Sequence, residues 1–301
     1  MLLFIALVFL TMGCDKGMPA DRGVLVTTEW LQDHLSDPQC IVLHAGTREG
    51  YDSLHIPGAR LIRPGDFVVS DGELRNEMPA IDSVVMLLKK AGVNKDSRIV
   101  LCYESDRLVS RTARVYLTLV HAGLSGQTYI LNGGMPAWYE EGREATDLDP
   151  GHPEGNLEAL EPVRVLMSAS ELEKNRWSPH MVVIDARTPE EYHGTAATEE
   201  ENAARGHVEG AYALPYQNTL QEDTPYLFKS DAELEELFRD SGMDRDKTTV
   251  VYCGSGIRAS VAYLSARHLG YPVLLYDGSY EEWNRLDLPQ TEAVDPPDDN
   301  E

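Results

Sequence analysis

Val250-Val251-Tyr252-Cys253-Gly254-Ser255-Gly256-Ile257-Arg258-Ala259-Ser260-Val261 decides the fold, because it passes from an apolar β-rich run through a small-residue turn directly into a helical stretch. That order is a strand-to-helix junction. Downstream, residues 259–269 continue as a helix, and Val273-Leu274-Leu275-Tyr276 reads as a further strand. Upstream, Met181-Val182-Val183-Ile184 is another buried-type strand, while residues 232–239 place Leu234, Leu237 and Phe238 on one helical face. Strands that alternate with helices require crossover connections, which build a mostly parallel sheet with helices on both faces. The fold class is α/β.

The chemistry concentrates in the same stretch. A cysteine at the carboxyl end of a buried parallel strand stands where open α/β sheets place their active sites. Gly254, Ser255, Gly256 and Ile257 form a loop small enough for backbone N–H groups to turn around the Cys253 sulfur at a helix N-terminus. Such a concavity favours the thiolate, the nucleophilic form of the side chain. Arg258 closes the loop, and its planar fork suits loop carbonyls or an incoming anion.

The chain then repeats itself. His55-Ile56-Pro57-Gly58-Ala59 recurs as His207-Val208-Glu209-Gly210-Ala211, an offset of 152 residues, and the Gly133-Gly134 turn before Trp138 is echoed by Gly278-Ser279 before Trp283, an offset of 145. A period this long means two copies of a domain. The copies are expected over 24–146 and 163–290, joined by a Gly-, Pro- and acid-rich linker at 147–162 and followed by an acidic, solvated tail at 291–301. The first copy has Tyr103-Glu104-Ser105-Asp106 where a nucleophile loop would stand, and counting back from Gly123 sets Arg111 opposite Arg258. Cys102 and Cys40 read as small core residues, and His44 stands where the second copy has Asp185. His55 and His207 occupy the same turn in both copies, which points to structural hydrogen bonding. Trp138 and Trp283 point to packing in the same way.

Composition narrows the partners. Among 301 residues, 50 Asp and Glu against 26 Lys and Arg give a formal net charge of −24, which argues against a nucleic-acid backbone and means that an anionic substrate must be held by a local positive field. The four cysteines show no C-x-x-C pair or zinc-ligand spacing, and the remaining histidines are scattered, so no metal site is expected. Residues 1–13 read as a signal segment: an apolar run to Leu10, then Thr11-Met12-Gly13-Cys14, similar to a bacterial lipoprotein cleavage site with Cys14 as the lipidated first mature residue. The expected location is the cell envelope, facing the periplasm, with membrane attachment through the lipid anchor only, or soluble in the periplasm if Cys14 carries no lipid.

In this order and twice over, the motifs resemble the tandem-domain rhodanese family of thiosulfate and 3-mercaptopyruvate sulfurtransferases. They are His55 to Ala59, Gly133-Gly134 with Trp138, Asp185-Ala186-Arg187, Gly206-His207 with Gly210-Ala211, the loop from Cys253 to Arg258, and Asp277-Gly278 with Trp283. The resemblance implies two rhodanese-like domains around a cleft, an inactive first copy, and a catalytic Cys253 that carries sulfur as a persulfide, with no metal or organic cofactor. It implies a small sulfur donor and a thiophilic acceptor such as cyanide, a small thiol or a reduced protein thiol. Gly254-Ser255-Gly256 is similar to the mercaptopyruvate branch, and Arg258 to thiosulfate-using members. Where the family places a donor-binding Arg after Asp185-Ala186-Arg187, this chain has Glu190-Glu191; Arg63, Arg187 and Arg258 are the candidate replacements, with Asp185 and Arg187 expected to support the loop from behind. Two readings compete. The fold also resembles phosphatases with a Cys-x5-Arg ring, but only four residues separate Cys253 from Arg258, which suits a sulfur atom better than a phosphate. The other is a non-catalytic binding module of the same fold at the cell envelope.

Overall fold

The computed structural model describes residues 23–149, 151–196, 206–223 and 225–291. The signal segment, Cys14 and residues 292–301 lie outside the described residues. The first half runs β1 (Leu25–Val26), α1 (Thr28–His34), β2 (Cys40–Ala45), α2 (Arg48–Ser53), β3 (Arg60–Ile62), α3 (Ile81–Lys90), β4 (Arg98–Tyr103), α4 (Val109–His121), β5 (Thr128–Leu131) and α5 (Gly134–Glu140). The second runs β6 (Leu166–Met167), α6 (Ala169–Asn175), β7 (Met181–Asp185), α7 (Pro189–His193), β8 (His207–Val208), β9 (Tyr212–Ala213), α8 (Asp231–Asp240), β10 (Thr248–Tyr252), α9 (Ala259–His268), β11 (Val273–Tyr276), α10 (Ser279–Arg285) and β12 (Gln290–Thr291).

Each half holds a five-stranded, wholly parallel sheet in equivalent order, β1-β5-β4-β2-β3 and β6-β11-β10-β7-β9. The central strands are the most apolar: Ile99, Val100, Leu101, Val250 and Val251 are all buried, as a sheet covered on both faces requires. Thr291, placed in the tail by composition, pairs with His207 in the short antiparallel ladder of β12 on β8.

The linker lies against the first domain. Leu157 is buried, Gly155 N–H donates to the Lys89 carbonyl, and Asn94 and Asn156 exchange side-chain-to-backbone bonds with the facing segment. The two domains share one core. α4 packs along α9, and a continuous apolar cluster joins Val115 and Tyr116 of the first to Val261 and Tyr263 of the second. Burying residues of this size from both sides strongly disfavours separation, at about 1.5–3 kcal/mol for each large apolar side chain.

Among the described residues no helix is long and apolar enough to cross a membrane, and no group of three His, Cys, Asp or Glu side chains is placed to hold a metal ion.

Candidate active site

Sheet register sets the equivalence of the two copies. Leu101 pairs with Ile130 and Ile130 with Leu25, as Val251 pairs with Leu275 and Leu275 with Leu166. Tyr103 therefore stands at the place of Cys253, and His44 at the place of Asp185. Beyond the loop the helices stay in register from their C-termini: Thr118 Oγ1 donates to the Arg114 carbonyl as Ser265 Oγ donates to the Val261 carbonyl, which keeps Arg111 opposite Arg258. On that register α4 begins three residues earlier than α9, so Arg111 lies inside its first turn where Arg258 immediately precedes α9.

Cys253 follows β10 directly and is 1% exposed. Its N–H donates to Ser279 Oγ at 3.2 Å, its carbonyl accepts from Tyr280 N–H at 2.9 Å, and the Gly254 carbonyl accepts from Glu281 N–H at 3.0 Å. These bonds fasten the loop to the start of α10. Ser279 Oγ also donates to the Tyr276 carbonyl at 2.9 Å, and its backbone sits in the left-handed region at φ 53°, where Gly134 of the first domain has φ 55°. A non-glycine residue there stores roughly 1–2 kcal/mol of strain, held directly beside Cys253. At the other end of the loop, Ser260 Oγ donates to the Gly256 carbonyl at 2.8 Å. Gly256 has φ 80°, and a Cβ there would stand 3.0 Å from Asp277 Oδ1, so backbone and space both require glycine. Among the described residues none of the N–H groups of residues 254–258 is taken by a protein acceptor.

Arg258 is held from across the site. Its Nη1 and Nη2 each donate to a separate Glu191 oxygen at 2.6 Å. Thr188-Pro189-Glu190-Glu191 is a capping box at the start of α7, so the Glu191 carboxylate also accepts from Thr188 N–H at 3.0 Å. Burial works against the Arg258 charge, but Glu191 and the Cys253 sulfur outweigh it and hold the guanidinium above its ordinary pKa. Burial likewise works against the Glu191 anion, and the bonds from Arg258 and Thr188 hold its pKa below the usual value.

Asp185 and Arg187 lie beneath the loop. Arg187 Nη2 donates to Asp185 Oδ2 and to the Gly206 carbonyl, both at 2.6 Å, and its Nε lies 3.0 Å from both Asp185 oxygens. The guanidinium sits 3.8 Å from the Tyr280 ring centre, and Tyr252 OH donates to Asp185 Oδ2 at 2.6 Å. The pair thus braces Tyr252 and Tyr280, the residues that flank Cys253 in chain and in space.

The first domain contributes side chains that sequence reading did not single out. Asn76 Nδ2 donates to Ser255 Oγ at 3.0 Å; Arg114, 1% exposed, donates to Asp277 Oδ1 at 2.5 Å and to the Asn76 carbonyl at 2.6 Å; Met78 N–H donates to Asp277 Oδ2 at 2.9 Å. Arg63 is not among these contacts: it precedes the short helix Pro64–Phe67 and lines a cavity of the first domain. Tyr216, within electrostatic reach of Arg258 and Cys253, forms part of the wall of a cavity of about 750 Å³ that Asp106 and Arg107 close from the first domain.

The other cysteines sit in a different environment. Burial pushes the Cys102 thiol far above its ordinary pKa and the Cys40 thiol up to about 11.

Residues 27–141 and 168–286 each match the rhodanese-like domain family. The chain belongs to that family. It is 32% identical over 287 residues to the sulfur carrier protein TtuD of Thermus thermophilus, covering 89% of this chain and 95% of that one. Over 277 residues it is 29% identical to a putative thiosulfate sulfurtransferase of Haloferax volcanii, covering 88% and 94%. The crystal structure of the 3-mercaptopyruvate sulfotransferase of Escherichia coli superposes with a TM-score of 0.73 at 24% identity, covering 86% of this chain and 99% of that one; at that identity the likeness shows the fold. Structural details recur in both rhodanese-like domains. His55 donates from Nδ1 to the Tyr51 carbonyl and stacks on Tyr51, as His207 does with Tyr192, and Trp138 and Trp283 each donate Nε1–H to a carbonyl six residues on.

Proposed function

We propose that this protein is a sulfurtransferase that takes the outer sulfur of thiosulfate onto Cys253 and passes it to a thiophilic acceptor such as cyanide, a small thiol or a reduced protein thiol. One observation carries the reading: Cys253 stands at the carboxyl end of β10 and is followed by residues 254–258, whose N–H groups have no protein acceptor among the described residues. Unclaimed donors in a partly dry site favour negative charge on sulfur in the thiolate and again in the persulfide. The Cys253 thiolate attacks the sulfane sulfur, the S–S bond of thiosulfate breaks, and sulfite leaves with the bonding pair. The acceptor's thiolate or cyanide then attacks the terminal sulfur and returns Cys253 as thiolate. Two half-reactions on one sulfur give ping-pong kinetics and require no metal or organic cofactor. The names of the relatives support the reaction class.

A second donor is favoured by a specific contact. Because Glu191 already meets the charge of Arg258, a dianion gains less there than a guanidinium alone would give, and mercaptopyruvate, with one carboxylate, is penalised less. Mass spectrometry after incubation with each donor, looking for one added sulfur on Cys253, tests the reading together with steady-state rates. Faster loading from mercaptopyruvate would overturn thiosulfate as the donor; no added sulfur from either would overturn the sulfurtransferase itself. On the apolar run before Gly13-Cys14 the mature chain is lipid-tethered at the cell envelope, so Cys14→Ala should release it from membranes, and unchanged fractionation would refute that placement.

A further inference from the structure

The arginines beside Cys253 are both tied to carboxylates, Arg258 to Glu191 and Arg187 to Asp185. The corresponding edge of the first sheet is built the other way. There Thr47 and Arg48 after β2, Arg63 and Pro64 after β3, and Leu108 and Arg111 at the start of α4 line a cavity of about 410 Å³. Among the described residues the side chains of Arg63 and Arg111 have neither an ion pair nor a hydrogen bond, and Arg48 is shared between Asp52 at 3.0 Å and Asp149 at 3.8 Å. Glu104, packed on the same turn, is engaged by Thr47 N–H at 2.7 Å and lies 3.5 Å from His44 Nε2.

Two guanidinium groups without a carboxylate partner stand on one rim of this cavity, in a chain of formal net charge −24. A concave, low-dielectric wall focuses their field and raises the local concentration of anions. The wall is also apolar where Pro64 is buried and Leu108 half-buried, and such surface adds binding only for a ligand that has an apolar body. Tyr103 replaces the cysteine at this edge, so the place can hold a ligand but cannot form a persulfide.

We propose that this cavity binds a small organic anion, a carboxylate or sulfonate whose head lies between Arg63 and Arg111 and whose apolar body rests on Leu108 and Pro64. Planar guanidinium forks match both head groups. The site belongs to the domain without the nucleophile, and it does not depend on which sulfur donor Cys253 uses.

The test is phenylglyoxal labelling of arginines on the full chain, mapped by peptide mass spectrometry, with and without benzenesulfonate. The expected result is slower labelling at Arg63 and Arg111, with Arg75 and Arg239, 69% and 70% exposed, unchanged. Inorganic sulfate, which has the charge and not the apolar body, should protect less. Calorimetry should show that Arg63→Gln/Arg111→Gln weakens benzenesulfonate binding by about tenfold or more, as expected for losing two charge-assisted contacts. Equal protection at Arg75 and Arg239, or no protection at Arg63 and Arg111, overturns the site; equal protection by sulfate overturns the organic ligand class. None of these readouts uses sulfur transfer, so the outcome is independent of the reaction assigned to Cys253.

Discussion

Glu191 and Arg258 form a two-point pair, each terminal nitrogen of Arg258 2.6 Å from its own Glu191 oxygen, so the cation that closes the Cys253 loop is already matched by an anion from α7. Removing the two partners should have opposite effects on an anionic donor. Arg258→Ala leaves the Glu191 carboxylate facing the loop unpaired and should lower kcat/KM for thiosulfate by about 30- to 1000-fold, or about 2–4 kcal/mol. Glu191→Gln should release the guanidinium and lower KM several-fold, most clearly at low salt. Steady-state kinetics on both variants decide the point: an equal loss in both means that the pair acts as a scaffold and not through its charge.

Cys253→Ser should abolish sulfur transfer with the fold intact, because a hydroxyl cannot carry a persulfide. Cys102→Ser should keep near-wild-type turnover at a stability cost of about 1–3 kcal/mol, since it places a hydroxyl in an apolar interior. Turnover and thermal melting measured side by side separate the two effects, and comparable loss of turnover in both would contradict the assignment of Cys253.

Much of this arrangement is legible in the chain because it is local. β10, the Cys253 loop and α9 are contiguous, and the repeat of the His-x-x-Gly-Ala turn exposes two domains without any structure. Asn76, Arg114 and Glu191 were not legible as parts of the site, because they reach it across 179, 163 and 67 residues of sequence. A signal for Glu191 was nonetheless present. Thr188-Pro189-Glu190-Glu191 is a helix-start pattern, and its N3 acid facing a loop arginine is a pair that charge alone could have suggested. Arg111 keeps the place of Arg258 on the helix register, but α4 begins three residues earlier, so Arg111 lies within the helix and not at the end of a loop, a difference in length that a count from the shared end does not reveal.

Ser279 links backbone strain to the nucleophile, and Ser279→Gly separates them. Glycine removes the left-handed penalty at φ 53° but also the hydroxyl that accepts from Cys253 N–H. Stability should change by less than about 1 kcal/mol, as the strain relieved offsets the lost bond and the added chain entropy. The rate of persulfide formation should fall, because the Cys253 backbone loses an anchor. Stopped-flow loading with thiosulfate checks this, and an unchanged rate would show that the bonds from Tyr280 and Glu281 suffice.

Glu77 gives stability a pH dependence. Burial first, and then the charge of Asp277, push its pKa up to about 7 against the opposing pull of Arg114. A carboxyl with a raised native pKa binds its proton more tightly when folded, so its contribution is full below about pH 4.5 and is lost as pH rises through about 7. Glu77→Gln should therefore be more stable than wild type at pH 8, by about 1–2 kcal/mol after allowing for its half-exposed position, with the difference closing toward pH 5. Urea unfolding of both proteins across that range measures it; a constant difference would mean that the side chain's charge plays no part.

Arg114 and Asp277 join the domains directly behind the loop, both buried, with Asp277 also accepting from Met78 N–H. Breaking one side strands a charge, so Arg114→Met should destabilise the fold by about 3–5 kcal/mol. Arg114→Met/Asp277→Leu removes both charges and should recover a large part of that loss, since an apolar pair of similar volume avoids the desolvation cost. Activity should not recover with it. Arg114 also holds the Asn76 carbonyl at 2.6 Å, and Asn76 holds Ser255 at 3.0 Å, so the double variant keeps the domains together while losing the chain of bonds that fixes the loop from the first domain. Unfolding midpoints and thiosulfate turnover measured on the same samples distinguish the two roles. Recovery of both in the double variant would reduce the pair to interdomain packing; recovery of stability alone is what positioning of the Cys253 loop by the first domain requires.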